Sequence, residues 1–319
     1  MAFHRSLADN LGPDYGRNQR IHRPLSNTQP AQQVKIVITG ANGLVGKALS
    51  NALEAQHDVA SFGHRDLDIT DGNAVRCAFE NAQPDVVINC AVVQVDACEL
   101  DPKLAEAVNV AGPRNLALAA PRFVHFSTNY VFDGEQLDRP PYTISDEPRP
   151  INVYGRTKLQ GEHAVIEVNP QFFIIRTAWV YGPGKPSFLA AVPANLREGK
   201  PVKAITDAYS TTTYVNDLVA QTIEIIEGGE YGLYHVANSG VSSYYDFALE
   251  AARLIGLPES EADRLIVKVT ESEMNRPARR PRWTPLESTL KPMRLWKAAL
   301  AEYIADEGFT EEGREEEKK

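Results

Sequence analysis

Two side chains suited to acid–base chemistry stand four residues apart in the segment NVYGRTKLQGE. Tyr154 and Lys158 fall within a helical pattern over residues 152–169, and residues four apart share one face of a helix. A phenol with its ordinary pKa near ~10 is a poor catalyst at neutral pH, but an adjacent cation lowers that pKa. The pair therefore predicts a site in which Lys158 lowers the pKa of Tyr154.

A pair of hydroxyls supplies a second part of the same chemistry. The stretch FVHFST has the length and the apolar character of a buried strand, and it ends in Ser127 and Thr128. A hydroxyl at this point can hydrogen-bond a carbonyl oxygen that the tyrosine protonates. We therefore expect Thr128 to make this contact, with Ser127 in support.

The elements that must position these groups begin with VKIVITGANGLVG, residues 34–46. A short run rich in β-branched residues ends at a glycine, two more glycines follow, and an apolar helix pattern begins. This sequence is typical of a dinucleotide site, because glycines let the backbone approach a pyrophosphate and the helix N-terminus attracts its charge. The predicted cofactor contacts in this turn are Gly40, Asn42, Gly43, Leu44, Val45 and Gly46.

Strand and helix patterns alternate over residues 34–183. The predicted strands are 34–39, 58–62, 85–90, 123–127 and 172–176, and the predicted helices are 44–56, 71–82, 101–120 and 152–169. This alternation predicts an α/β fold, a doubly wound parallel sheet of the Rossmann type. Ligands bind at the carboxyl ends of such strands, which adds as cofactor contacts Ala91, Val92, Val93 and Phe126.

The rest of the chain is predicted to form a tail and a lobe. Residues 1–33 are polar and lack a hydrophobic period, which predicts a flexible N-terminal tail, with an arginine-containing targeting peptide as the alternative. Beyond residue 183 the pattern becomes irregular and rich in proline, which predicts a smaller substrate-binding lobe over 184–319. A strand near 232–236 is expected to return to the Rossmann sheet.

Composition narrows the range of partners. The 319 residues are 43% hydrophobic with a net charge of −9, which argues against nucleic acid. No apolar run reaches the ~18 residues of a membrane span, and no signal peptide is evident, so we expect a cytoplasmic protein. Cys77, Cys90 and Cys98 lack the spacing of metal ligands. We expect them to be small buried side chains, and we predict no metal site.

Four segments, TGANGLVG, FSTNYVFDGE, INVYGRTKLQGE and IIRTAWVYG, together resemble the extended short-chain dehydrogenase/reductases. Within that family they look most like the dTDP-4-dehydrorhamnose reductases, with the regulatory β subunit of methionine adenosyltransferase as a sister group. The resemblance covers about residues 34–300 and implies reduction of a 4-keto group on a nucleotide-linked sugar by NADPH or NADH. It also implies that Tyr154 donates the proton, that Lys158 holds the nicotinamide ribose, and that Thr128 binds the carbonyl oxygen.

The resemblance implies further contacts at the two ends of the ligand site. Asp68 and Ile69 match a pair that borders the adenine, whereas Val95 and Trp179 match positions that line the sugar. A partly buried tryptophan of the core is the alternative for Trp179. Many members have aspartate after the Ser-Thr pair, but this chain has Asn129, which we also assign to the substrate. The loss of an acid near the sugar leaves the identity of the sugar open.

The end of the second predicted strand bears on the choice of cofactor. Folds that bind NAD commonly place an acidic residue about 20 residues beyond the glycines. This chain has Gly63, His64 and Arg65 there, and a cation without a carboxylate favours NADPH. We therefore expect His64 and Arg65 to contact the cofactor. An Arg65 that is only a solvated loop charge is the alternative, and NADH stays open as the cofactor.

Three questions stay open at this level. Some members carry an acidic residue for an interfacial metal where this chain has Lys47, so both a monomer and a homodimer are compatible with the sequence. Arg280 and Arg282 could approach a diphosphate or belong to a turn at Pro281. Two rival functions also remain, a non-catalytic NADP-binding regulatory subunit and a sugar-nucleotide epimerase.

Overall fold

The computed structural model describes residues 33–184 and 187–309. The strands in these ranges are β1 Lys35–Thr39, β2 Asp58–Phe62, β3 Val86–Asn89, β4 Phe123–Thr128, β5 Phe172–Thr177, β6 Val180–Tyr181, β7 Val202–Ile205, β8 Tyr209–Ser210, β9 Thr213–Tyr214, β10 Gly232–His235, β11 Ser242–Ser243 and β12 Ile266–Val269. The helices are α1 Leu44–Leu53, α2 Gly72–Ala82, α3 Val95–Leu100, α4 Pro102–Glu106, α5 Gly112–Ala119, α6 Val153–Val168, α7 Phe188–Arg197, α8 Val215–Gly228, α9 Tyr244–Leu254, α10 Glu259–Leu265 and α11 Trp296–Asp306.

The main sheet of the described chain has six parallel strands in the order β10-β5-β4-β3-β1-β2. The predicted α/β class and doubly wound parallel sheet are therefore confirmed. From β1 the chain moves outward to β2 and then returns to place β3 on the other side of β1. This reversal opens a crevice at the carboxyl ends of β1 and β3, where ligands bind in such folds. At the opposite edge, β10 pairs with β5.

The strands read as almost continuous apolar runs because helices cover both faces of the sheet. Neighbouring residues of β1 show the alternation: Ile36 and Ile38 join one hydrophobic cluster, and Val37 joins the other. The first cluster continues into the part of the chain that follows the Rossmann strands, with Phe247 and Trp296 among its members. The sheet and the later helices thus share one core.

The segment predicted as a single helix over 101–120 is interrupted in the structure. It consists of α4, a π-helical turn Ala107–Ala111 and α5, and α3 precedes it. The cause is Pro113, which has no N–H to donate to the carbonyl of Asn109 four residues earlier and whose ring would clash with that carbonyl. The helix widens instead, and the N–H of Gly112 bonds the carbonyl of Ala107.

Three other expectations concern the cysteines, a membrane span and the N-terminal tail. Cys98 is buried and Cys90 partly buried, but Cys77 is exposed, so the expectation of three buried cysteines was wrong for one of them. No helix among the described residues is both long and apolar enough to cross a membrane. Apart from its last residue, Gln33, the predicted N-terminal tail lies outside the described residues.

Candidate active site

A cavity of about 900 Å³ opens at the carboxyl ends of the central strands. It is lined by the glycine turn after β1, by the segments that follow β3, β4 and β5, and by the first turns of α6. Of the residues predicted for the site, Arg65 alone does not line this cavity. The lining residues among those predicted are Gly40, Asn42, Gly43, Leu44, Val45, Gly46, His64, Asp68, Ile69, Ala91, Val92, Val93, Val95, Phe126, Thr128, Asn129, Tyr154, Lys158 and Trp179.

The glycine turn fits a pyrophosphate on structural grounds. Gly40 has φ +69°, and a Cβ there would lie 2.5 Å from the backbone nitrogen of Ala91. A Cβ on Gly46 would lie 2.4 Å from the carbonyl oxygen of Gly40. Both positions therefore require glycine. No side chain caps the N-terminus of α1, so the N–H groups at Leu44 and Val45 are available to an anion in the cavity.

The loop after β2 presents a histidine to the cavity and uses its carboxylates locally. His64 is exposed and lines the cavity, whereas Arg65 is exposed and lies outside the lining. Asp66 accepts a hydrogen bond of 2.8 Å from a backbone N–H of its own turn. Asp68 accepts bonds from the hydroxyl and the backbone of Thr70, and the hydroxyl bond is the largest cause of its lowered pKa.

Tyr154 lies in the first turn of α6, which begins where the side chain of Asn152 caps the helix. Its ring packs edge-on against Tyr130, with centroids 5.8 Å apart. Burial raises the pKa of the phenol to about 12, and a hydrogen bond with Thr128 opposes that rise. The sequence-based expectation of a lowered pKa therefore differs from what the structure shows.

The reason lies in the position of Lys158. Its amine donates to the carbonyl of Phe126 at 2.6 Å and lies 3.1 Å from Nε2 of His125. Among the described residues, no hydrogen bond joins this amine to the phenol of Tyr154. The side chain is buried, with 2% of its surface exposed, and burial lowers the pKa of the amine to about 8.

Thr128 is held by its neighbours at the end of β4. Its hydroxyl accepts a bond from the N–H of Tyr130 at 3.1 Å and donates to Oδ1 of Asn129 at 3.3 Å. The amide nitrogen of Asn129 donates to Oγ1 of Thr284 at 2.7 Å and to Oγ of Ser210 at 3.0 Å. Asn129 is 2% exposed, so it connects the end of β4 to the later part of the chain.

Ser127 has a different partner from the one expected. Its hydroxyl donates to the carboxylate of Glu162, which also forms a buried ion pair with Arg176 at 2.6 Å. Arg176 donates two hydrogen bonds to this carboxylate, and Ser127 donates one. Burial would raise the pKa of Glu162, but the charge of the Arg176 guanidinium and these hydrogen bonds hold it below its usual value. Ser127 also lines the cavity, so its supporting role at the carbonyl stays a prediction, and in this structure its hydroxyl proton is used by Glu162.

Trp179 lies in the left-handed backbone region, with φ +40°, which is strained for a bulky side chain. Its indole stacks on Tyr244 at the start of α9, with centroids 3.9 Å apart. The indole N–H is buried and makes no hydrogen bond of normal geometry in the described structure, but it lies close enough to the phenol of Tyr130 to oppose the rise in that phenol's pKa caused by burial. A polar group of a ligand in this cavity would satisfy that N–H.

The sequence analysis missed three buried polar residues next to the site, Asn89, Asn109 and His125. Oδ1 of Asn109 accepts a bond from the N–H of Val93 at 3.0 Å, which fixes the loop after β3. The proline four residues after Asn109 was the available signal, because it opens the helix at this residue. For Asn89 and His125, which bond each other, no local signal exists.

The two arginines considered for a diphosphate have protein partners. Arg280 binds both carboxylate oxygens of Asp96 at 2.6 Å, and its side chain is 9% exposed. Arg282 is more exposed and lies 3.9 Å from Asp207. Arg280 therefore connects its segment to α3.

The parallel sheet with a glycine turn at its reversal point, the Tyr-x-x-x-Lys pair on α6 and the strand-end threonine define the class: this is an extended short-chain dehydrogenase/reductase. The chain belongs to the family described as RmlD substrate binding domain, whose model matches residues 34–308.

Several named reductases are similar to this chain over most of its length. The dTDP-4-dehydrorhamnose reductase of Mycolicibacterium smegmatis is 41% identical over 286 residues, 85% of each chain. That of Mycobacterium tuberculosis strain H37Rv is 36% identical over 85% of this chain and 92% of its own. A Bacillus anthracis dTDP-4-dehydrorhamnose reductase in complex with NADP has a similar structure, with a TM-score of 0.79, 31% identity and coverage of 86% of this chain and 100% of its own. The Clostridium acetobutylicum reductase gives a TM-score of 0.76 at 38% identity, with coverage of 85% and 98%.

Proposed function

We propose that this chain is an NADPH-dependent reductase of the 4-keto group of a nucleotide-linked 4-keto-6-deoxy sugar, with dTDP-4-dehydrorhamnose as its substrate in dTDP-rhamnose biosynthesis. The observation that carries the proposal is the convergence of Thr128, Tyr154 and Lys158 on one cavity that also contains the glycine turn. Relatives at 36–41% identity that bear this name support the substrate. The NADP bound by the Bacillus anthracis reductase supports the cofactor.

The residues around the cavity fit a dinucleotide. In the proposal the turn at Gly40, Gly43 and Gly46 holds the pyrophosphate, and His64 and Arg65 favour a 2′-phosphate. The loop carboxylates of Asp66 and Asp68 accept hydrogen bonds from backbone N–H groups of their own turns. When bound, the cofactor supplies hydride to the carbonyl carbon of the sugar.

Tyr154 is suited to donating the proton. A phenol with a pKa of about 12 keeps its proton throughout the neutral range, and this is the form that a reduction consumes. Thr128 holds the phenol and contacts the carbonyl oxygen. Lys158 holds the ribose when its amine is directed toward the cavity, and as an ammonium it lowers the pKa of the phenol as negative charge develops.

The sugar is placed at the end of the cavity near Trp179, Val95 and Asn129. We infer that residues 34–183 bind the cofactor and that 184–319 contribute the substrate lobe, with β10 in the main sheet. We also infer a cytoplasmic enzyme that acts as a monomer or a homodimer, without a nucleic-acid partner. Sedimentation of the purified protein distinguishes the two assemblies.

Incubation of purified protein with NADPH and dTDP-4-keto-6-deoxy sugars tests the function. Stoichiometric oxidation of NADPH with formation of the 4-hydroxy sugar supports a reductase, provided that Tyr154→Phe loses it. Isomerised sugar without net loss of NADPH indicates the epimerase. NADP binding without either reaction, together with a protein that co-purifies, indicates the regulatory subunit.

A further inference from the structure

A chain of buried hydrogen bonds crosses the sheet and ends at Lys158. On β1, the hydroxyl of Thr39 donates to Oδ1 of Asn89 at 2.8 Å. On β3, Nδ2 of Asn89 lies 3.1 Å from Nδ1 of His125, and Nε2 of His125 lies 3.1 Å from the amine of Lys158. These side chains are at most 2% exposed, so water does not compete for their bonds.

The backbone determines how the Asn89 amide is oriented. The N–H of Ala91 lies 3.0 Å from one end of this amide, and a backbone N–H can only donate. That end is therefore the oxygen, and the end that faces His125 is the NH₂ group. Because NH₂ also only donates, Nδ1 of His125 must accept and carries no proton. Burial lowers the pKa of His125 well below its ordinary value, so the imidazole is neutral and its proton is on Nε2.

This tautomer determines the state of the lysine. The Nε2–H of His125 is a donor, so the nitrogen of Lys158 must accept through a lone pair, which the neutral amine has and the ammonium lacks. The amine keeps N–H groups to donate to the carbonyl of Phe126 at 2.6 Å. An ammonium in the same position would bring its own N–H groups against the Nε2–H of His125, with no acceptor between them.

We propose that His125 is a positioning residue that holds Lys158 as a neutral amine against β4, and that Lys158 becomes charged when it turns from His125 toward the cavity. The inference rests on the role of Lys158 in the proposed function. Lys158 thus has two states, a neutral amine bound to His125 on β4 and an ammonium directed toward the cofactor and substrate in the cavity. Protonation of the amine breaks its bond to His125 and therefore favours the second state.

The groups around Lys158 agree with a neutral amine in this position. The carboxylate of Glu162, one helical turn further on, would favour the charged form, but Arg176 already pairs with it. The other titratable groups that face the amine carry no charge at neutral pH. They are the thiols of Cys90 and Cys98 and the phenol of Tyr154. Burial thus dominates and lowers the pKa of Lys158 to about 8, so the charged form prevails at pH 7 and the neutral amine held by His125 prevails above pH 8.

The test is the pKa of Lys158 measured by NMR in the full chain with ¹³Cε-labelled lysine and no added cofactor, the signal being assigned through Lys158→Arg. His125→Phe keeps a ring in the same space but removes the donor to the amine. The neutral form then loses one hydrogen bond, so the pKa should rise by up to about one unit. His125→Gln can accept from Asn89 and donate to Lys158, so it should restore the wild-type value.

A pKa in His125→Phe that is unchanged or lower would overturn the proposal, and so would a His125→Gln variant that shifts as far as His125→Phe. If circular dichroism shows that His125→Phe does not fold, Asn89→Asp replaces it. A carboxylate at position 89 accepts a hydrogen bond from Nδ1 of His125, so the imidazole proton moves from Nε2 to Nδ1. Nε2 can then accept a hydrogen bond from the ammonium of Lys158, and the pKa of Lys158 rises. No rise in Asn89→Asp contradicts the proposal. Because this measurement needs no substrate, the expected shifts in a protein without reductase activity would refute only the proposed function.

Discussion

Replacement of Tyr154 by phenylalanine removes the proposed proton donor and keeps the ring. The edge contact with Tyr130 at 5.8 Å persists, so the wall of the cavity and the affinity for NADPH should remain close to wild type. The lost step is general acid catalysis, which typically contributes 10²–10⁴-fold. We therefore expect kcat to fall by this factor, which corresponds to about 3–5 kcal/mol in the activation free energy.

The assay is the initial rate of NADPH oxidation with a dTDP-4-keto-6-deoxy sugar, combined with fluorescence titration of NADPH for binding. Tyr234→Phe is a matched control, because its buried hydroxyl donates to the carbonyl of Glu230 and lies outside the cavity. It should keep the wild-type rate. If Tyr154→Phe retains more than about half of that rate, the tyrosine is a packing residue and the mechanism is refuted.

Three further outcomes are expected. Arg65→Ala should lower the affinity for NADPH by about tenfold or less and leave the affinity for NADH unchanged, since an exposed ion pair contributes on the order of 1 kcal/mol. Equal losses of affinity in titrations of both cofactors would contradict this. Glu162→Gln leaves the buried charge of Arg176 unpaired and should lower the free energy of unfolding by about 3–5 kcal/mol in urea, whereas Glu147→Gln, on an exposed pair, should leave it unchanged. The rate of reduction should fall as pH rises through the Lys158 pKa of about 8, because the ammonium is the active form and Tyr154 keeps its proton up to its pKa of about 12. If the same fall in rate near pH 8 persists in Lys158→Met, it does not come from Lys158.

The sheet and the glycine turn were predictable because their signals are local. A β-branched run defines β1, a short apolar run defines β4, and the glycines at 40 and 46 occupy positions where any Cβ would strike backbone. Many residues that line the cavity follow from the same rule, since they lie at strand ends, whereas Tyr154 and Lys158 lie on α6. The interruption at Asn109 was also encoded nearby, in the proline that follows, but a helical pattern alone does not reveal it.

The partners of the proposed catalytic side chains were not predictable, because they come from distant parts of the chain. The spacing of Tyr154 and Lys158 places them on one helix face, yet it does not show that a carbonyl on β4 and His125 bind the amine. Similarly, a strand-end pair of hydroxyls does not reveal that Glu162 binds one of them. These contacts depend on tertiary packing, and they change the pKa that local reasoning assigns to the phenol.

Asn129 is another residue whose partners come from distant parts of the chain. Its amide is occupied by Thr284 and Ser210, and its oxygen accepts from Thr128, so every polar atom of the side chain is engaged within the protein. In this structure the neutral amide therefore attaches the end of β4 to the later part of the chain. An acid in its place would meet the carbonyl oxygen of Thr284, which lies 3.4 Å from the amide nitrogen, and would repel it. The asparagine thus contributes to how Thr128, the proposed contact of the carbonyl oxygen, is held.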